Sequence, residues 1–318
     1  MYYINVDRIL AVLFVRVPLQ RRTNLKLNPK FLSDGGFRYE YLGQSYFNLT
    51  KWKYFTLRSF IAQEKYRKSV GNKNEIKRIK KLKNLFHGPA LVIANGPSVN
   101  RISENIIQKF SVSKSLFTIN NFFNHKLSEN IISNYHFICD NGYWDKYDLA
   151  KVDYRNRIKK LQLKNDLVIV QPDYQQEFTE INTLFIRKNP LTGFTKSIDV
   201  TKNCGLPNNT SFFAIATAIY LGYSPIYVAG LDLNFYNFID FDNNLGWGLK
   251  SHHSYDLGLE RIEMWQYRDS ATRILNSNLM QIYYLKLFKN HDVRIINDRK
   301  VTECLETINV ANFNQILN

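Results

Sequence analysis

Cysteine is scarce in this chain, with three copies in 318 residues, and that scarcity removes a class of protein. Cys139, Cys204 and Cys304 are odd in number, widely spaced and outside any Cys-x-x-Cys or Cys/His ligand pattern. Neither a disulfide framework nor a zinc site is expected, and a reducing cytoplasm is the expected location. Long hydrophobic runs are lacking too. The apolar stretch Ile9–Val17 is short, follows Asp7 and Arg8, contains Arg16 and has no small-residue cleavage site, so it makes neither a signal peptide nor a spanning helix. Without export, the sequons at Asn48, Asn208 and Asn209 carry no weight as glycosylation sites. Acid is also in deficit: 27 Asp and Glu face 43 Lys and Arg, for a formal charge of +16. That imbalance asks for an anionic partner, whether nucleic acid, acidic lipid or a nucleotide-linked substrate. No helix-turn-helix, zinc finger or RNP-like motif accompanies the charge, which argues against nucleic acid.

What is present is enough to fold. A 45% hydrophobic content with 14% aromatics suits one large core, or one domain with an appendage. Much of the base lies in residues 1–88. From Lys51 to Lys83, twelve Lys and Arg face only Glu64 and Glu75, interleaved with Trp52, Tyr54, Phe55, Leu57, Phe60, Ile61 and Tyr66 at helical spacing. This reads as a basic, mainly helical N-terminal extension. Its apolar stripe either packs on the main domain or docks on anionic lipid at the inner face of the plasma membrane. In the second case each basic residue near the surface contributes about 1 kcal/mol.

Residues 89–318 read as an α/β domain with a Rossmann-like, mainly parallel sheet and helices on both faces. Apolar runs at Leu91–Ala94, Ser115–Ile119, Tyr135–Cys139, Leu167–Gln171, Thr183–Ile186, Ile226–Ala229 and Val293–Ile296 are the strands. Val99–Phe110, a segment around His125–Ile132, Trp144–Lys160, Phe212–Leu221, Thr272–Leu287 and a short terminal stretch at Thr302–Ile308 are the helices, with Gly222 closing the fourth as a C′ glycine. Residues 233–256, long, aromatic and polar, read as a lid-like loop.

The segment Asn95-Gly96-Pro97-Ser98 interrupts its strand abruptly. Gly96 permits close backbone approach or positive φ, Pro97 fixes φ, and Ser98 is placed to cap the following helix. Free N–H groups at such a helix start bind anions, and ligands of open α/β sheets sit outside the carboxyl ends of the strands. A tight β–α turn with a good cap explains the same residues.

Several stretches together resemble one family. Ala94-Asn95-Gly96-Pro97-Ser98, Phe117-Thr118-Ile119-Asn120-Asn121-Phe122, the run from Ala216 to Tyr223, Ile226–Asp232 and His253-Ser254 look like the bacterial sialyltransferases of glycosyltransferase family 42. They look equally like the related 6-hydroxymethylpterin diphosphokinase-like surface-polysaccharide proteins. The sialyltransferase resemblance implies a GT-A variant fold and transfer of a sugar from a CMP-linked donor, without metal or other cofactor. The acceptor would be a surface glycan or glycolipid, such as a lipooligosaccharide or capsule. It implies Asn95, Gly96, Ser98 and Asn120 on the donor, with Thr210 and Ser211 where the family places a Ser-Gly pair. Asp140 and Asn234 replace a family Asn and a leaving-group Tyr, so Tyr236 or Tyr255 would hold the leaving phosphate. His253 falls on the general base, and a neutral imidazole near pH 7 can take a hydroxyl proton. The diphosphokinase-like resemblance implies ATP and Mg²⁺ instead. A non-catalytic nucleotide-binding component of a polysaccharide assembly complex is the third reading.

Other residues have plainer alternatives. Of the adjacent His252 and His253, at most one is expected to serve as base, with the other bonding within its loop. Asp232 reads as a strand-end residue satisfying loop N–H groups, or else as a donor contact. Asp240-Phe241-Asp242 matches the Asp-x-Asp of metal-dependent glycosyltransferases, but away from the strand-end position that chemistry needs, so a solvated acidic loop is expected.

Overall fold

The computed structural model describes residues 39–41, 44–46, 70–138, 167–170, 183–185, 197–202, 209–233, 239–242, 246–251, 261–264, 281, 285–297 and 305–317. A small antiparallel hairpin pairs β1 (Tyr39–Tyr41) with β2 (Gln44–Tyr46). Among the described residues the principal sheet has eight strands, all parallel. They are β3 (Ala90–Ile93), β4 (Leu116–Ile119), β5 (Tyr135–Ile138), β6 (Leu167–Val170), β7 (Thr183–Phe185), β8 (Ile226–Ala229), β12 (Val293–Ile296) and β13 (Glu306–Ile308). Their spatial order is β13-β12-β8-β3-β4-β5-β6-β7. The chain winds outward from β3 to β7, returns to lay β8 beside β3, and winds outward on the other side. The connections after β3 and β8 therefore diverge, and a crevice opens at their carboxyl ends.

The strands are apolar because helices cover both faces. Leu91, Ile93, Leu116 and Tyr227 pack with Ile106, Ile107 and Phe110 of α2 (Glu104–Val112) and with Val310 and Phe313 of α4 (Val310–Leu317). Ala90, Val92, Phe117, Tyr135, Phe137 and Val228 face the other way, onto α3 (Thr210–Leu221). Every residue of α3 but Ile219 is buried, and its far side is covered by Ile79 of α1 (Val70–Lys81), Leu82, Phe86, Leu285 and Phe288. Backbone bonds from Asn84 to Tyr220 and from Phe86 to Leu221 tie the chain after α1 to the end of α3. No described helix is long and apolar enough to cross a membrane.

Several elements differ from the sequence reading. The helix expected at Val99–Phe110 is split into a 3-10 turn, Pro97–Arg101, and α2, because Ile102 is extended (φ −83°, ψ 135°) and buried in the core. Two 3-10 turns, Asn120–Asn124 and Lys126–Glu129, stand where one helix over His125–Ile132 was expected. The expected terminal helix over Thr302–Ile308 contains β13, since β12 offers it an open edge, and the helix comes afterwards as α4. Within the segment read as a loop lie β9 (Ile239–Asp242) and β10 (Gly246–Ser251), antiparallel to each other. Together with β11 (Arg261–Met264) they form a three-stranded sheet. The alternation Ile-Asp-Phe-Asp is a strand pattern, and it places the Asp-x-Asp in a strand. Trp144–Lys160 and most of Thr272–Leu287 lie outside the described residues.

Candidate active site at the carboxyl edge of the sheet

The loop after β3 is held against the loop after β8 by four hydrogen bonds. Ala94 N–H donates to the Ala229 carbonyl (2.8 Å) and Gly96 N–H to the Gly230 carbonyl (2.9 Å). Gly230 N–H donates to Ser98 Oγ (3.0 Å), and Ser98 N–H to Asp232 Oδ2 (3.1 Å). Close approach is what requires the glycines. A Cβ on Gly96 would lie 2.4 Å from Asp232 Oδ2 and 2.5 Å from the Gly230 carbonyl, while Gly96 itself has an ordinary φ of −73°. Gly230 needs its glycine twice over, with φ at +71° and a Cβ position 2.7 Å from the Ala94 carbonyl.

This geometry corrects two expectations. Ser98 caps no helix; its hydroxyl accepts from the neighbouring loop. Nor are the loop amides open, since Gly96 and Ser98 are engaged as above and Val99 N–H donates to the Gly96 carbonyl (3.3 Å). The carboxylate that receives the Ser98 amide is that of Asp232, whose other oxygen accepts from Asn297 Nδ2 (3.4 Å). Asp232 thus does satisfy a loop N–H group, that of Ser98. Asn297, at the end of β12, was missed; a polar residue directly after an apolar strand was the available signal.

Asn95 and Asn120 each lie two residues beyond the paired Ile93 and Thr118 of β3 and β4. Asn120 adopts φ +43°, within the left-handed region that Asn tolerates, and its Nδ2 donates to Thr210 Oγ1 (3.4 Å). The amide oxygens of both asparagines are covered and accept no hydrogen bond. Thr210 and Ser211 are brought to this edge because α3 runs back against the strands, with its first turn at their carboxyl ends. Asn209 caps that turn, its Oδ1 accepting from Ser211 N–H (2.9 Å) while its Nδ2 donates to Gln281 Oε1 (2.7 Å). Thr210 and Ser211 are themselves buried.

Two buried histidines lie beneath this edge. His136 is wholly enclosed and its pKa is lowered to about 4 by burial, with the backbone of Asn120 opposing the shift. Thr118 donates its proton to Ser133 Oγ (2.7 Å) and Ser133 donates onward to the Tyr135 carbonyl (2.9 Å). The 2.7 Å contact between Thr118 Oγ1 and His136 Nδ1 is therefore a bond from Nδ1–H to the threonine oxygen. In His125, Nδ1 accepts from Leu127 N–H (3.1 Å), so Nε2–H donates to Asn100 Oδ1 (2.8 Å). Burial, with Lys126 nearby, lowers its pKa too.

The structure thus brings together Asn95, Gly96, Ser98, Asn120, Thr210, Ser211 and Asp232. Asp140, Asn234, Tyr236, His252, His253 and Tyr255 lie outside the described residues. Among the described residues no group of three or more His, Cys, Asp or Glu side chains gathers to hold a metal ion.

A family model described as 6-hydroxymethylpterin diphosphokinase MptE-like matches residues 67–238, more than half of the chain. The match takes in α1, the strands β3 to β8 and the loops carrying Asn95, Asn120, Thr210 and Asp232. It stops short of β9 to β13 and of His252 and His253. No curated protein and no solved structure matches the chain.

Proposed function

Because the chain belongs to the 6-hydroxymethylpterin diphosphokinase MptE-like family, we propose that it is an enzyme that holds a nucleotide at the carboxyl edge of β3, β4 and β8 and transfers a group from it. One observation carries the reading. Polar side chains from β3, β4, β8 and the start of α3 converge at the point where the strand order reverses, and two of them, Asn95 and Asn120, keep covered amide oxygens with no partner. A buried acceptor left without a bond costs about 1–3 kcal/mol, a cost that a binding site recovers when its ligand arrives.

For the group transferred, we take the nucleotide-linked sugar as the leading reading. Its support is the resemblance of the Asn95-Gly96-Pro97-Ser98 and Asn120 motifs to the sialyltransferases of glycosyltransferase family 42. In that reading the donor is CMP-linked, the acceptor a surface glycan, and His253 the base that takes the acceptor proton. The family's description supports a second reading, transfer of diphosphate from ATP, in which Mg²⁺ would neutralise the phosphates. Asp232 and the amide oxygens of Asn95 and Asn120 are hard oxygen donors of the kind that ion takes.

A thermal-shift series with CMP, CTP, UDP, GDP and ATP, each in Mg²⁺ and in EDTA, separates the two. Stabilisation by a cytidine nucleotide that survives EDTA is expected, because a ligand that prefers the native state raises its melting temperature by mass action. Stabilisation by ATP only with Mg²⁺ would replace the leading reading by the second. No shift with any nucleotide at millimolar concentration would refute both.

A further inference from the structure

The helix α1 and the turn after it present two unlike faces. Ile79 is buried against α3, with Leu82 and Phe86 packed beside it, so the apolar stripe is already covered by the main domain. Lys73, Lys77 and Lys80 follow one another at i, i+4 and i+7, a single stripe turned away from Ile79, and Lys81 lies beside it. All four lysines are exposed. The acid of α1, Glu75, is held by Arg78 (2.9 Å), and among the described residues no carboxylate pairs with the four lysines. Lys83 is turned to the Tyr220 ring, 6.0 Å from its centroid, and does not count with them.

Beyond the lysines stands an apolar residue that the fold holds out. Leu85 is 58% exposed. The amides on either side of it are fixed to the end of α3, Asn84 N–H to the Tyr220 carbonyl and Phe86 N–H to the Leu221 carbonyl, both 3.0 Å. Four unpaired cations on one helix face ask for a surface of negative charge, and two polyanions offer one. A nucleic acid would use aromatic rings to stack on bases and arginine forks to grip phosphates; α1 has no aromatic residue, and its arginine is bound to Glu75. A bilayer offers anionic headgroups to the lysines and an acyl boundary to the leucine.

We propose that α1 is a docking surface for an anionic lipid bilayer, with the lysine stripe on the headgroup phosphates and Leu85 at its end. Since the apolar stripe is taken by α3, attachment is mainly electrostatic and therefore reversible and weakened by salt. The docking surface and the crevice do not compete. The chain after α1 is bonded to the last turn of α3, whereas Thr210 and Ser211 in its first turn stand at the crevice.

The test is sedimentation of the full chain with vesicles of phosphatidylcholine alone or with about 30% phosphatidylglycerol, at about 0.1 M and about 0.5 M salt. Binding is expected only to the anionic vesicles, and should be lost at the higher salt. A lysine near the surface contributes about fivefold to partitioning, so Lys73→Gln, Lys77→Gln and Lys80→Gln together should weaken binding by about tenfold to a hundredfold. The same three changed to Arg should retain it. Arg101→Gln, Lys109→Gln and Lys126→Gln, which remove three exposed charges from the opposite layer, should change it by less than about threefold. Leu85→Ser reads the same surface without touching charge, and should weaken binding by about threefold to tenfold. Ligand-free melting temperatures equal to wild type show that the fold is kept. Wild-type protein that ignores anionic vesicles, or equal losses in the two glutamine triples, would overturn the proposal. Binding of RNA through the α1 lysines at lower concentration than vesicles would replace lipid by nucleic acid.

Discussion

Lowering the pH from 7 toward 4 is expected to weaken the fold through one buried ring, His136. In the native state its pKa is about 4, against an ordinary 6.5, because burial penalises the imidazolium. The unfolded chain therefore binds more protons than the native one between these values. Stability is full above about pH 6.5 and falls as the pH drops through that window, levelling off below about 4. At about 1.4 kcal/mol per tenfold, this gap is worth about 3 kcal/mol, a large part of the 5–15 kcal/mol typical of a domain. His125, whose pKa is also lowered by burial, acts in the same direction. Urea unfolding of wild type and His136→Asn at half-unit steps from pH 7.5 to 4 measures the contribution. The amide can keep the bond to Thr118 but cannot titrate, so its curve should be flatter by up to one proton. Identical slopes in the two proteins would show that the ring is not held neutral, and the proton chain through Thr118 and Ser133 would then be wrongly assigned.

Gly96→Ala is expected to lower the melting temperature by several degrees. Its Cβ would fall on Asp232 Oδ2 and the Gly230 carbonyl, and forcing such contacts apart costs about 1–3 kcal/mol; an unchanged melt would refute the close approach of the two loops. If His253 is the base, His253→Ala should abolish transfer while leaving nucleotide binding intact in calorimetry, and retained transfer would remove it from the reaction.

Most of the α/β architecture was legible along the chain, for a simple reason. A strand between two helical layers must be apolar on both faces, and Leu-Val-Ile-Ala or Ile-Tyr-Val-Ala admits little else. Gly222 closed α3 as expected, with φ +105°, because a helix needing a left-handed residue at its end selects glycine. The elements misread were those whose state depends on a distant partner. Glu306–Ile308 is a strand because β12 lies open beside it, and Ile102 breaks the helix because the core takes its side chain. The site divides along the same line. That residues 95–98 form a turn at a strand end is local chemistry, written in Asn-Gly-Pro-Ser. Whether the Ser98 amide is free for a phosphate was decided by Asp232, 134 positions away, and the partner of Asn120 by Thr210, 90 positions on. Sequence spacing determines which groups a turn offers. Only the packing of β8 against β3 and of α3 against β4 decides which of those groups are already taken, because a hydrogen bond is settled over about 3 Å of space, whatever the separation along the chain.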